Sequence, residues 1–402
     1  MNSLFLEYSI HRMLFVKALS PIWKGAPFSF LSPVKYQDVD EPVLPGANWV
    51  KMRNRMCGLC GTDVHVLFMD ASPMVSVAAV PMLMRKFLGH ELVGEVIEVG
   101  ENATGFSVGD KVILKIDFPS CYQRETDPMC HQCKKGDYLL CEKASAQGIP
   151  ENQGGGFSPF MIAHKTQLIK VDHAMPDEDA ILMEPIACAI RAVLKKLPEN
   201  GEKVLIIGAG TIGLCILSVL AALTPSAEVY LLCRYRHQAE IAERFGAKAI
   251  IEAENLYPTV AEITGGTYFS APLKNRMIIG GFDIIYDTVG NDRTVNDALR
   301  WARGKGSVVI IGANFAPKRL DYSPIWYQEV DLLGIDSHGM EEFRGKRMST
   351  FDVALTLYGE KKLDIRGLVT HTFPMNQFRK AVQTFIHKGK TNAIKVALVH
   401  DM

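Results

Sequence analysis

The chain has 402 residues, carries 44 Lys+Arg against 44 Asp+Glu, and is 48% hydrophobic. That is core-forming sequence for about two to three domains with no basic field to hold phosphate backbones, which excludes a small stapled scaffold and argues against a nucleic-acid partner. Its apolar residues are dispersed, with no uninterrupted run of about 18, so no membrane-spanning helix is expected.

The opening segment MNSLFLEYSIHRMLFVKALSP carries Glu7 early and places His11 and Arg12 behind the first apolar patch, unlike a secretory leader, and a cytoplasmic location is expected. Residues 1–12 read as an extension ahead of a strand starting near Met13. From 13 to 120, short apolar runs are punctuated by Gly and Pro, for instance ELVGEVIEVG over 91–100 and VGDKVIL over 108–114. That pattern predicts a compact antiparallel barrel. Between Asp63 and Gly89, Met69, Met74, Val75, Val77, Val80, Met82 and Met84 read as core rather than as pocket lining.

Nine cysteines fall at 57, 60, 121, 130, 133, 141, 188, 215 and 233, four of them within 121–141. In a reducing compartment such crowding points to metal rather than to disulfides. Cys130 and Cys133, then Cys141 after seven intervening residues, let three thiolates from one tight loop converge on a tetrahedral ion, and structural zinc is the expected occupant. The fourth ligand is Asp127, which keeps the two-residue rhythm and is preferred, or Cys121, the softer donor but six residues further out. Cys57 forms a CxxC with Cys60 but lacks the surrounding pattern of a redox site and reads as a packing residue.

From about 186 strands and helices alternate: KVLIIG (203–208), a helix over 211–223, VYLLC (229–233), a helix through 240–245, AII (249–251), FDIIYD (282–287), a helix ending at Trp301, and SVVIIG (307–312). Alternation of this kind makes a doubly wound parallel sheet, so the fold class is α/β. The stretch 265–281 is longer than the connection needs and reads as a surface insertion. Near 336 the pattern breaks, and GLVTHTFP, a helix over 377–387 and IKVAL read as a return to the barrel. The expected domains are therefore 1–185 with 337–402, and 186–336.

Gly208-Ala209-Gly210-Thr211-Ile212-Gly213 follows a strand and opens a helix, the context in which GxGxxG binds a dinucleotide. Gly208 makes the tight turn, Gly210 lets the backbone approach a pyrophosphate, and Gly213 permits close helix packing. The second strand ends at Cys233 without the carboxylate that accepts ribose hydroxyl bonds, and Arg234 and Arg236 follow. Guanidinium groups suit a 2'-phosphate, so NADP is preferred to NAD.

With that fold in hand, Cys60-Gly61-Thr62-Asp63-Val64-His65, Gly89-His90-Glu91 and Glu184-Pro185 together resemble the zinc-dependent medium-chain dehydrogenase/reductase family, from about Met13 to the C-terminus. The resemblance implies a GroES-like barrel, a cysteine-rich lobe and a Rossmann domain. It also implies a catalytic zinc on Cys60, His90 and Glu184, with Glu91 as a competing or exchanging carboxylate. Thr62 and His65 look like the proton relay of such enzymes, and Asp63 like the residue that orients His90. Three protein ligands and one open position are what a catalytic zinc needs. A cation there lowers the pKa of an alcohol oxygen and so eases hydride release to nicotinamide. EPIACA, the CGTDxH arrangement and the glutamate ligand resemble the polyol, glucose and threonine dehydrogenase branch, with simple or cyclic alcohol dehydrogenases as the alternative. A small-molecule alcohol or ketone as substrate and a homodimer or homotetramer go with the family. A non-catalytic NADP-binding protein and a zinc-free quinone or enoyl reductase are the competing classes, and neither needs the three zinc ligands.

Overall fold

The structure, a computed structural model, describes every residue except 24, 73–74, 77–84, 116–118, 145–148, 253, 318 and 401–402. The expected core positions Met74, Val77, Val80, Met82 and Met84 lie outside the described residues, while Met69 is buried and Val75 half-buried. The chain divides into two compact units, Met1–Glu184 with Arg366–Met402, and Pro185–Ile365.

The first unit opens with β1 (Asn2–Glu7), α1 (Ile10–Leu19) and β2 (Val34–Asp38), followed by β3 (Trp49–Gly58), α2 (Gly61–Phe68), β4 (Arg85–Phe87), β5 (Glu91–Val99) and β6 (Lys111–Leu114). A short α3 (His131–Lys134) sits in the cysteine lobe, ahead of β7 (Phe160–His164), β8 (Leu168–Lys170) and α4 (Asp177–Ala180), and α5 (Met183–Lys195) starts at the end of this unit and belongs for most of its length to the second. Two expectations at the N-terminus are corrected. Residues 2–7 are a strand paired antiparallel with β2 and β4, and the segment at Met13 is helix. The run Met13-Leu-Phe-Val16 carries no period that separates strand from helix. The helix wins by burying Val16 fully and setting Met13 and Phe15 on the core.

The second unit contains β9 (Lys203–Ile207), α6 (Thr211–Leu223), β10 (Glu228–Cys233), α7 (Arg236–Arg244), β11 (Lys248–Ile251) and α8 (Tyr257–Thr264). Then come the hairpin β12 (Thr267–Ala271) and β13 (Asn275–Ile279), followed by β14 (Phe282–Asp287), α9 (Asp292–Trp301), β15 (Ala302–Ile310), α10 (Ser323–Tyr327) and β16 (Asp331–Gly334). A second hairpin, β17 (Met340–Phe343) and β18 (Lys346–Ser349), leads into α11 (Thr350–Gly359). Six parallel strands in the order β11-β10-β9-β14-β15-β16 form the doubly wound sheet, which reverses direction between β9 and β14.

The return to the first unit comes at Arg366 instead of 337. The guanidinium of Arg191 donates to the carbonyls of Asp336 and His338 and lies 3.6 Å from Glu341, while His338 packs edge-on against Phe351, so 336–351 are tied to the second unit. The returning chain supplies β19 (Val369–Pro374), α12 (Phe378–Ile386), α13 (Lys388–Thr391) and β20 (Lys395–Val399). The barrel sheet runs β19-β20-β3-β5-β6-β8 with β7 also on β3, antiparallel except for β19 with β20. Its core gathers Val50, Met52, Leu92, Val96, Val112 and Val396, with Cys57 buried among them. Among the described residues no helix is long and apolar enough to cross a membrane.

Candidate metal centres and dinucleotide site

Cys60 caps α2, and the helix start is locked by a reciprocal pair of bonds with Asp63. Asp63 is buried; one carboxylate oxygen accepts from the Cys60 N–H at 3.0 Å and the other from the Gly89 N–H at 3.1 Å. It also stands 3.7 Å from Nδ1 of His90. One carboxylate thus clips together two loops that are 26 residues apart in sequence. Gly89 makes this approach possible: its φ is +83°, and a Cβ there would meet the Phe157 nitrogen at 2.8 Å.

The result is that the ligand atoms of Cys60, His90 and Glu91 all lie within 4.8 Å of one another. Thiolate, imidazole and carboxylate at that spacing fit a zinc ion that keeps a fourth position open. Glu184, expected as the direct carboxylate, is not in that group. It is buried nearby and acts on His90 through its charge. Burial pulls the His90 pKa down, but the carboxylate of Asp63, the Cys60 sulfur and Glu184 outweigh it and raise the imidazole to about 10. A metal that takes this ring therefore displaces a proton at neutral pH.

Sequence reasoning missed Lys395. Its ammonium, brought in on β20, forms a fully buried ion pair with Oε2 of Glu91 across 304 residues of chain. Burial lowers the Lys395 pKa, yet the Glu91 carboxylate overrides this and lifts it to about 12. Thr62, on the first turn of α2, has a buried hydroxyl with no hydrogen-bond partner among the described residues. His65 lies one turn further on, with Nδ1 at 2.7 Å from Oδ2 of Asp70. Asp70 is a second residue not foreseen; Met69, with φ 52°, ends the helix in a left-handed cap that turns the chain back toward His65.

In the cysteine lobe the structure corrects the fourth ligand. The sulfurs of Cys121, Cys130, Cys133 and Cys141 all lie within 4.8 Å of one another, with 3.7 Å between Cys121 and Cys141. Asp127 is exposed and outside the group. A turn in which the Thr126 N–H donates to the Cys121 carbonyl folds Cys121 inward, and spacing along the chain does not register that turn. Burial pushes the Cys130 thiol up, but the backbone N–H of Cys133 and further donors outweigh it and bring it down to about 6, a value that favours a thiolate ligand. Cys121→Ser is expected to strip about one zinc ion per chain and lower the melting midpoint, while Asp127→Asn leaves metal content unchanged. Metal analysis giving the opposite pattern would restore Asp127.

In the second unit the glycine turn fits a dinucleotide. Gly208 has φ +99°, and a Cβ would meet Thr288 Oγ1 at 2.7 Å. A Cβ at Gly213 would strike the Gly208 carbonyl at 1.9 Å, whereas beside Gly210 the space is open, as approach of a pyrophosphate requires. Ile212 lies in the first turn of α6. Cys233 ends β10 without a carboxylate of its own, and Glu252, just after β11, lies beside it: the Glu252 N–H donates to the Cys233 carbonyl at 2.8 Å. Arg234 lies 3.8 Å from Glu252, which also pairs with Arg293. Arg236 is 91% exposed and pairs with Glu240 one turn along α7, the geometry of a solvated helix face.

Two family models match the chain: "alcohol dehydrogenase GroES-like domain" over residues 46–173 and "zinc-binding dehydrogenase" over 211–351, together about two thirds of its length. A sorbitol dehydrogenase of Halalkalibacterium halodurans is 27% identical over 90% of this chain and 94% of its own. An L-idonate 5-dehydrogenase of Vitis vinifera is 29% identical over 92% and 93%. Among solved structures, the alcohol dehydrogenase of Aeropyrum pernix superposes with a TM-score of 0.73 at 24% identity, covering 99% of this chain and all of that one.

Proposed function

The chain belongs to the zinc-dependent medium-chain dehydrogenase/reductase family of alcohol oxidoreductases, and from that premise we propose that it oxidises a secondary alcohol of a polyol, sugar or hydroxy amino acid to the ketone, with NADP as the preferred hydride acceptor. The observation that carries this reading is the convergence of Cys60, His90 and Glu91. These three would hold the catalytic zinc, with Glu184 as the exchanging carboxylate. Zinc bound there supplies Lewis acidity that lowers the pKa of an alcohol oxygen. Thr62, whose buried hydroxyl has no hydrogen-bond partner among the described residues, would accept the alcohol proton while giving up its own, and His65, held by Asp70 and 40% exposed, would release a proton to solvent. Substrates with several hydroxyls are supported by the names of the relatives, which include sorbitol and L-idonate dehydrogenases. Preference for NADP is supported by Arg234 and Arg293 beside the end of β10.

Initial rates with polyols, aldoses and threonine against both cofactors test the proposal. Turnover is expected with at least one of these substrates. Arg234→Ala is expected to raise the Michaelis constant for NADP by at least about tenfold, the worth of one charge-assisted contact, with that for NAD changed by less than about twofold. Absence of turnover with any alcohol or ketone in zinc-replete protein would defeat the proposal, and equal effects on both cofactors would remove the NADP preference.

A further inference from the structure

The insertion over 267–279 is an antiparallel hairpin of five residue pairs, turned at Leu273 and Lys274, both with positive φ. It is anchored: Ile278 of β13 is fully buried in the core of the second unit, alongside Tyr257, Val260, Phe282 and Leu299. Arg276, two residues earlier, shares the strand face of Ile278 and so points inward. Its guanidinium lies 5.9 Å from the Tyr257 ring centroid, while the Tyr257 hydroxyl donates to Asp297 at 2.9 Å.

Against this face is a cavity of about 250 Å³, bounded by Ile207 and Leu232 at the carboxyl ends of β9 and β10, Glu252, Arg293, and from the hairpin Lys274 and Arg276. A crevice at the carboxyl ends of these strands is where an open parallel sheet receives a nucleotide. The charges around it do not cancel locally. Glu252 is shared between Arg234 and Arg293, Asp297 engages Tyr257, Arg300 pairs with Asp321, and Glu254 is the other carboxylate on the rim. Lys274 has no carboxylate partner among the described residues, and Arg276, over the Tyr257 ring, makes no ion pair there although its charge reaches Asp297.

We propose that the hairpin is part of the cofactor site: Lys274 and Arg276 supply positive charge to the subsite for the adenosine 2'-phosphate, in addition to Arg234, so that the insertion helps set the choice between phosphorylated and unphosphorylated dinucleotide. This rests on the NADP reading above. The ligand class is an adenosine carrying phosphate on the 2'-oxygen, and the recognition is charge-assisted hydrogen bonding at a partly desolvated rim.

Calorimetric binding of adenosine 2',5'-bisphosphate and of 5'-ADP to the intact chain tests this without turnover. The wild type is expected to prefer the 2'-phosphorylated ligand. Lys274→Ala with Arg276→Ala is expected to weaken that ligand at least about tenfold while 5'-ADP changes by less than about twofold. Lys274→Glu alone, at an exposed turn position that the fold does not depend on, is expected to weaken it further than Lys274→Ala. A wild type that binds the two ligands equally overturns the NADP reading and this inference with it. A wild type that prefers the bisphosphate, with variants that keep the full preference, overturns the role of the hairpin alone.

Discussion

Cys60→Ser is expected to lower kcat at least about a thousandfold and to reduce bound zinc from about two ions per chain to about one, with little change in the melting midpoint. Cys60 is the only thiolate in a group otherwise made of His90 and Glu91, and a serine hydroxyl stays protonated near neutral pH and is a poor zinc ligand. A thousandfold corresponds to about 4 kcal/mol of barrier, within the several kcal/mol that a Lewis acid contributes at a developing alkoxide. Stability is spared because the Asp63 carboxylate clips the loops through the backbone N–H groups of Cys60 and Gly89, and a serine oxygen at the N-cap can take over the reciprocal bond from the Asp63 N–H. Kinetics, metal analysis and calorimetry on the same preparation check all three parts. Retention of more than about a tenth of the wild-type kcat with full zinc would show that the metal sits elsewhere.

Lys395→Met is expected to destabilise the first unit by about 3–5 kcal/mol, the cost of leaving a buried charge without its partner. Lys395 and Glu91 are both almost wholly buried, so solvent screening does not soften the loss. The Lys395 pKa is raised in the folded protein from 10.5 to about 12. Its contribution is therefore fully present below about 10.5 and is lost as pH rises through about 12, so the gap between wild type and variant stays constant across the neutral range. The double variant Glu91→Gln with Lys395→Met is expected to recover most of the loss, since neither charge is left stranded. Denaturation at pH 6, 7.5 and 9 distinguishes the outcomes. A loss under about 1 kcal/mol at each pH, or a double variant no better than the single, would show that the pair does not hold the site together.

Features encoded by neighbours in sequence were the most legible. The strand, glycine turn and helix over 203–223 fold as their local pattern implies, because apolar strands bounded by Gly208 and an apolar helix starting at Thr211 leave few alternatives. The grouping of Cys60 with His90 followed from resemblance, but the Asp63 clip that enforces it appears only once two loops are packed together. Counting residues favoured Asp127 over Cys121, since a count does not see the turn that carries Cys121 inward. Lys395 left no signal in its surroundings: IKVAL reads as a barrel strand, and only the pairing of β20 with β3 brings its ammonium to Glu91. Glu252 beside the end of β10 is likewise hidden from a local reading, because it follows β11 and only the parallel pairing of β11 with β10 brings it there.

X-ray absorption at the zinc edge of the purified chain, together with total zinc, addresses the paired metal centres most directly. About two zinc ions per chain are expected, one surrounded by four sulfurs and one by a single sulfur with nitrogen and oxygen neighbours. A single zinc in an all-sulfur environment, with none at Cys60 and His90, would contradict the assignment of Cys60, His90 and Glu91 as the catalytic centre.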